Sequence, residues 1–246
     1  MVLDLTTVGK IEKYLNRYSN NLPYHNPQHC LNVYNRVLEH EDFFFLPKDI
    51  SLALEIAALF HDAGNRLENS ERKNLETAIE LMRECKEVRG IPENILAISS
   101  SLILSTDSTR LGERFISFNS DFEQLASDIL RDSDITETLD REWALKLYKE
   151  FGKTHHYMLD VTFFKYHIPF TDYTRKRVVG VFPELEQVYT ERVTGSKIEY
   201  HLEDSIYQAF ANLKRYERLG YSDEVMDNSS SHLLNMLKIK EKLGFK

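Results

Sequence analysis

Apolar residues recur along most of the chain at the three- and four-residue spacing that places them on one side of a helix. Between residues 7 and 18, for example, Val8, Ile11 and Leu15 share a side, and charged residues occupy the opposite one. The same spacing returns in segment after segment, so we predict an all-α protein. The predicted helices cover residues 7–18, 27–45, 47–62, 70–87, 92–104, 121–134, 142–151, 156–165, 172–181, 183–193, 195–220 and 223–244.

The helix over 47–62 has the fewest polar interruptions, and we expect it to be the most buried element. A chain of 246 residues that is 42% hydrophobic can bury one sizeable core, and nine glycines and six prolines are few for this length. We predict one domain over 1–194, with a helical extension over 195–246 packed on the same core. The extension could equally serve dimerisation, so a homo-oligomer stays open.

Composition excludes several functional classes. No apolar stretch is long enough to cross a bilayer, and residues 1–5 lack the plan of a secretory signal, so we expect a cytoplasmic protein without a membrane partner. Cys30 and Cys85 are the only cysteines, which leaves no disulfide framework and no CxxC zinc site. The net charge of −8 argues against binding of extended nucleic acid, but a small phosphorylated substrate is allowed.

Two histidines flank a predicted helix start in the stretch Tyr24-His25-Asn26-Pro27-Gln28-His29. Asn26 is a good N-cap residue, and Pro27 at the first helical position costs no hydrogen bond. His29 therefore lies in the first turn, and His25 lies on chain that is not yet helical. The two rings can approach one point from different directions, as a metal ligand and a proton donor would.

A second polar pair, His61-Asp62, ends the apolar run Ala57-Ala58-Leu59-Phe60. A charged aspartate at the end of a buried helix costs several kcal/mol unless a cation or a full set of donors meets it. The helix over 121–134 delivers three more carboxylates near its end. Taken together, these stretches predict a metal site. The three carboxylates are Asp128, Asp132 and Asp134.

The chain resembles the HD superfamily of metal-dependent phosphohydrolases over about residues 20–140. Tyr24-His25-Asn26-x-x-His29 is similar to the YHNxxH motif of the cyclic-nucleotide phosphodiesterases and of a bacterial group of predicted HD hydrolases, and His61-Asp62 matches the later doublet. The resemblance implies an HD-domain helical bundle with additional C-terminal helices.

The resemblance also implies roles for individual residues. Ser133-Asp134-Ile135-Thr136 is similar to the Ala-Asp-Leu-Ser type of segment in the family, which favours Asp134 over Asp132. We interpret Asp132 and Asp128 as solvated carboxylates. His25 matches the general acid that protonates the leaving oxygen, and Asp62 could orient the attacking water. The implied metal ligands are His29, His61, Asp62 and Asp134.

Such a ligand set suits one divalent ion, such as Mn, Fe, Co, Ni, Zn or Mg. The implied activity is attack of metal-bound hydroxide on a phosphoester of a small nucleotide, either a nucleotide phosphomonoester or a cyclic nucleotide. The cyclic-nucleotide phosphodiesterases carry a second histidine where this chain has Asn65, which keeps an ordinary phosphomonoesterase in contention. The alternatives are a non-catalytic metal- and nucleotide-binding module and, less favoured because no histidine occurs between His61 and His155, a di-iron oxygenase.

Contacts to the substrate are predicted more weakly. Arg66 follows the ligand doublet, and Lys73 lies in the first turn of the next helix, where anions are favoured, although a surface charge is the plainer interpretation of each. A glutamate near Glu76 accompanies the site in the bacterial HD group, and Asn26 belongs to the motif itself. The predicted substrate-binding residues are Asn26, Arg66, Lys73 and Glu76.

Overall fold

The structure of the chain is a computed structural model. It describes residues 3–20, 22–67, 69–107, 114–139 and 169–183, and isolated positions between 142 and 237. Regular structure in these ranges is helical, and the predicted all-α class is confirmed. The helices are α1 (Leu5–Tyr18), α2 (Pro27–Glu39), α3 (Lys48–Phe60), α4 (Glu71–Glu84), α5 (Glu93–Ser105), α6 (Asp121–Thr136) and α7 (Asp172–Val181), with short 3-10 helices at Glu41–Phe45 and Glu137–Leu139.

The chain divides into two compact units. The first comprises Met1–Asp140 with Pro169–Lys176, and the second comprises Arg141–Ile168 with Arg177–Lys246. The predicted boundary between residues 194 and 195 lies outside the described residues and stays a prediction. The helices predicted over 142–151, 156–165, 183–193, 195–220 and 223–244 also lie outside them, apart from single positions.

Helix α3 forms the centre of the first unit, where it packs against α2, α5 and α6. Ten of its 13 residues are buried, the largest share among the described helices, which confirms the prediction that it is the most buried element. Each fully buried Leu, Ile or Phe side chain contributes roughly 1.5–3 kcal/mol. Because α3 ends at Phe60, it delivers the next two residues, His61 and Asp62, to the edge of this core.

Asn26 caps α2 as predicted. Its side-chain oxygen accepts hydrogen bonds from the backbone N–H groups of Gln28 at 3.0 Å and His29 at 3.1 Å. Its amide nitrogen donates to the carbonyl oxygens of Leu22 and Pro23, at 3.0 Å each. Asn26 thus fixes both the start of α2 and the loop that leads into it.

The end of α2 differs from the prediction of a helix that continues to Phe45. His40 is extended, and its ring accepts a hydrogen bond from the backbone N–H of Asp42, which starts a separate 3-10 turn. Phe43 is buried there, but Phe44 and Phe45 are 78% and 73% exposed. Of these three aromatic residues, only Phe43 therefore contributes to the core. None of the helices in the described ranges has the length and apolar character needed to cross a membrane.

Candidate metal centre

Four side chains from three separate helix ends converge at one point of the first unit. His29 lies in the first turn of α2, His61 and Asp62 follow α3, and Asp134 lies in the last turn of α6. One ligand atom from each lies within 4.8 Å of all the others. The structure therefore brings together the four residues that the resemblance implied as metal ligands.

The Nε2 atom of His29 is at the centre of this cluster. It lies 3.0 Å from Oδ2 of Asp62, 3.2 Å from Oδ1 of Asp134 and 3.2 Å from Nε2 of His61. The Nε2 atom of His61 lies 3.4 Å from the same oxygen of Asp62 and 3.5 Å from that of Asp134. Two imidazole nitrogens and two carboxylate oxygens thus face one another.

Hydrogen bonds on the far sides of the rings determine which atoms the cluster presents. Nδ1–H of His61 donates to the carbonyl oxygen of Ala58 at 2.9 Å, and Nδ1–H of His29 donates to the Glu137 carboxylate. When both Nδ1 atoms carry the proton, both Nε2 atoms turn lone pairs toward the carboxylates. Four acceptors that face one another need positive charge between them, from protons or from a metal ion, and the donor set fits a divalent metal ion.

The shifted pKa values of the two histidines and the two aspartates also indicate that positive charge is favoured in the cluster. Burial alone would lower the pKa of His29 and of His61, but the hydrogen bonds and charges of Asp62 and Asp134 raise both pKa values. Burial would raise the pKa of the two carboxyls, but the facing histidines lower them. The carboxylates thus favour positive charge on the imidazoles, and the imidazoles favour negative charge on the carboxylates.

The centre is closed on one side and open on the other. The side chains of His29 and His61 are fully buried, while those of Asp62 and Asp134 are 12% and 20% exposed. His25 lies on the open side, 17% exposed, with Nε2 3.6 Å from Oδ2 of Asp62. A ligand that arrives from solvent therefore meets the carboxylates and His25 before the buried imidazoles.

Aromatic packing and one loop contact hold His25 in place. The buried ring of Tyr24 meets the His25 ring edge-on at 4.9 Å and lies 4.5 Å from the ring of His29. The amide of Asn20 donates to the carbonyl oxygen of Asn65 at 2.7 Å. This bond ties the loop before α2 to the turn after Asp62.

The turn that carries His61 and Asp62 lies directly against α4 at Gly64. A Cβ atom on Gly64 would lie 2.2 Å from the carbonyl oxygen of Asn74 and 2.5 Å from the backbone nitrogen of Ala78. Only glycine permits this approach, because the clashing atoms are backbone. Gly64 thus sets the distance between the ligand turn and α4.

Three of the four predicted substrate-binding residues lie on the surface of the protein. Arg66 and Lys73 are exposed, and Glu76 pairs with Arg72 at 2.9 Å on the surface of α4. The amide of Asn26 is committed to the backbone of the helix start. Substrate contact by these four residues stays a prediction.

Two other carboxylates of α6 are buried, so the expectation that they are solvated is wrong. Asp128 accepts hydrogen bonds from Arg114, and Asp132 accepts them from Thr171. Sequence reasoning also missed Glu137, which bonds His29. The available signal was its position, three residues after Asp134, where the next helical turn returns to the same side.

Comparison with models of known protein families finds no match, and no curated protein matches the sequence. Among solved structures, the chain resembles the phosphodiesterase domain of the rhodopsin phosphodiesterase from Salpingoeca rosetta. The TM-score is 0.50 at 18% sequence identity, over 98% of this chain and 82% of that one. At this identity the likeness shows the fold alone, an all-helical architecture shared with a phosphodiesterase domain.

Proposed function

We propose that the protein is a metal-dependent phosphohydrolase that cleaves a phosphoester of a small nucleotide. The observation that carries the proposal is the convergence of two imidazole Nε2 atoms and two carboxylate oxygens within 4.8 Å. Both Nδ1 atoms donate to other partners, so the lone pairs of Nε2 face the cluster. We propose hydrolysis as the reaction because Asp62 and a third histidine, His25, lie on the open side of the centre, where a substrate would bind.

His29, His61, Asp62 and Asp134 would hold the ion. Imidazole and carboxylate ligands suit a divalent ion of borderline hardness. When bound, such an ion lowers the pKa of a coordinated water and takes up charge that develops on a phosphoryl oxygen. The two buried imidazoles exclude solvent on one side, so water and substrate enter from the side of Asp62 and Asp134.

His25 is the proton donor of the proposed mechanism. Its Nε2 lies 3.6 Å from Asp62, at the mouth of the centre. In its protonated form this imidazole can transfer its proton to the leaving oxygen as the bond to phosphorus breaks. Asp62 accepts a hydrogen bond from the attacking water and aligns it opposite that leaving oxygen.

Two observations support a phosphoester as the bond that is cleaved. The motif Tyr24-His25-Asn26-x-x-His29 is similar to that of cyclic-nucleotide phosphodiesterases, and the fold resembles a phosphodiesterase domain. Asn65 stands where the cyclic-nucleotide enzymes carry another histidine, so the proposal includes nucleotide monoesters beside cyclic diesters. The net charge of −8 favours a small substrate over an extended polyanion.

The test is product analysis on nucleoside monophosphates, nucleoside triphosphates and cyclic nucleotides, each with Mn, Co, Ni, Zn or Mg. The wild type is compared with Asp62→Ala, His25→Ala and the control Asp49→Ala, which removes an exposed carboxylate from the other end of α3. We expect one substrate class to turn over. Asp62→Ala should abolish turnover, His25→Ala should lower kcat roughly 100-fold, and Asp49→Ala should match the wild type.

Two results would overturn the proposal. If no substrate turns over but a nucleotide binds only when metal is present, the protein is a metal- and nucleotide-binding module. If the purified protein carries two irons per chain and oxidises a substrate with dioxygen, it is an oxygenase. One ion per chain and release of phosphate or of an opened ring support the hydrolase.

A further inference from the structure

Glu137 is a buried carboxylate that contacts the cluster from behind. It begins the short helix Glu137–Leu139 that follows α6, and its side chain is fully buried. One oxygen, Oε2, accepts the hydrogen bond from Nδ1–H of His29. The other, Oε1, accepts a hydrogen bond from the side-chain amide of Asn32 at 2.5 Å.

The two donors to Glu137 lie one turn apart on α2, and this pairing fixes the orientation of the His29 ring. Asn32 is itself held, because its oxygen accepts a hydrogen bond from the amide of Gln28 at 3.0 Å. A ring rotation that moved Nδ1 away from Glu137 would break the bond to a buried carboxylate and leave that charge under-satisfied. Nε2 is therefore kept on the side of the cluster.

Asp134 and Glu137 reach the same imidazole from opposite sides. Asp134 lies 3.2 Å from Nε2, and Glu137 bonds Nδ1. A carboxylate on the far nitrogen of an imidazole fixes the tautomer and raises the basicity of the near nitrogen. If Glu137 served only as an acceptor for Asn32, it would not need to contact the His29 ring as well.

From this geometry we infer that Glu137 is a positioning residue, which holds His29 as the Nδ1–H tautomer and aims its Nε2 atom at a bound cation. The inference rests on the proposed metal centre but does not depend on which substrate is cleaved. Glu137 is not one of the four residues that would hold the ion, and in this role it acts only through His29.

The test measures Zn²⁺ and Mn²⁺ affinity of the full chain by competition with a chelating dye, independently of any activity. The variants are Glu137→Ala, Glu137→Gln and the control Glu123→Gln. Glu123 is a buried glutamate in α6 that accepts a hydrogen bond from the backbone N–H of Asn119. We expect Glu137→Ala to weaken binding roughly 10- to 100-fold. Glu137→Gln retains an acceptor without the charge and should recover part of this loss, while Glu123→Gln should equal the wild type.

A second readout reports the tautomer directly. In the metal-free protein labelled with ¹⁵N-histidine, at a pH at which the His29 ring is neutral, long-range correlations should show His29 protonated at Nδ1 with its lone pair on Nε2. In Glu137→Ala this signature should be lost or mixed, and in Glu137→Gln it should persist. A purely structural role for Glu137 would lower thermal stability without changing the tautomer.

The outcomes separate this inference from the proposal of a metal centre. Unchanged affinity and an unchanged tautomer in Glu137→Ala would overturn the positioning role and leave the centre intact. If the wild type itself binds no ion, and His61→Ala behaves identically, the metal centre fails and this inference fails with it. If Glu137→Ala does not fold, the comparison of Glu137→Gln with the wild type decides, since full affinity together with loss of the tautomer signature contradicts the role.

Discussion

Asp132 accepts two hydrogen bonds from Thr171, one from the backbone N–H and one from the hydroxyl group, both at 2.7 Å. It also accepts one from the backbone N–H of Phe170 at 3.0 Å. Thr171 in turn caps α7, because its oxygen accepts a hydrogen bond from the N–H of Thr174. Asp132 therefore anchors the start of α7 to α6, whereas Asp134, two residues later, faces the cluster.

The two aspartates should therefore respond oppositely to substitution. Asp132→Asn places an amide against two backbone donors and should lower the free energy of unfolding by about 2–4 kcal/mol, while metal affinity stays close to that of the wild type. Asp134→Asn should weaken metal binding at least about tenfold with a smaller loss of stability. Urea unfolding and metal titration of both variants test this, and equal loss of affinity in the two would contradict the distinct roles.

Gly64 offers a test of how closely the ligand turn must approach α4. Gly64→Ala would force a Cβ into the backbone of Asn74 and Ala78, so we expect a loss of about 1–3 kcal/mol or more together with weaker metal binding. The matched control is Gly9→Ala, because a Cβ at Gly9 in α1 meets nothing within 4 Å. The control should gain roughly 0.5–1 kcal/mol. Thermal unfolding of both variants gives the comparison, and equal behaviour would contradict the close approach.

Glu55 predicts a pH dependence of stability. Burial raises the pKa of this carboxyl from 4.5 to about 7, and its Oε2 accepts a hydrogen bond from the backbone N–H of Leu3 at 2.6 Å. The folded protein therefore holds this proton more tightly than the unfolded chain. The resulting stability is fully present below pH 4.5 and is lost as the pH rises to about 7, by roughly 2–3 kcal/mol.

Glu55→Gln should remove this loss, since the amide does not ionise. The measurement is the difference in unfolding free energy between variant and wild type at pH 5 and pH 8, with the metal chelated. The difference should move in favour of the variant at pH 8. Glu84→Gln, at an exposed position of α4, should show the same difference at both pH values. If the difference in unfolding free energy between Glu55→Gln and the wild type is the same at pH 5 and pH 8, the raised pKa of Glu55 is contradicted.

Metal removal should lower the melting temperature, and more so at higher pH. An ion at 100 times its Kd stabilises by about 2.7 kcal/mol, which for a chain of this size corresponds to about 5–10 °C. The pKa values of His29 and His61 are raised in the metal-free protein, so protons compete with the ion. The stabilisation from those protons is present below pH 6.5 and is lost as the pH rises through the raised values.

Melting curves with and without a chelator at pH 6 and pH 8 test this expectation. The increment due to metal should be larger at pH 8, because the imidazoles are then more easily deprotonated. His61→Ala should show little increment at either pH. An increment that shrinks as the pH rises would indicate that the ion does not bind through the two histidines.

Local sequence signals account for much of the fold. The helix predicted over 172–181 has the observed bounds of α7, and the predicted cap of α2 is confirmed at Asn26. The predicted end of α2 was wrong because the His40 ring accepts a hydrogen bond from the backbone N–H of Asp42. The spacing of hydrophobic residues gives no sign of such a bond.

The contacts between distant segments could not be predicted in this way. The spacing of hydrophobic residues does not indicate whether Asp132 or Asp134 belongs to the metal site. Only the resemblance to the HD superfamily favoured Asp134. The partner of Asp132 is Thr171, 39 residues later, and the partner of Glu137 is His29, 108 residues earlier. Such pairs depend on how helices pack, which a local pattern does not encode.

The separation of 108 residues between His29 and Glu137 has a consequence during synthesis. His29, His61 and Asp62 emerge from the ribosome first, and the residues up to Asp134 take several more seconds at roughly 5–20 residues per second. Until α6 arrives, a nascent chain offers three donors without their fourth partner or the carboxylate behind His29. The complete cluster, with Glu137 behind His29, therefore forms only after synthesis has passed residue 137.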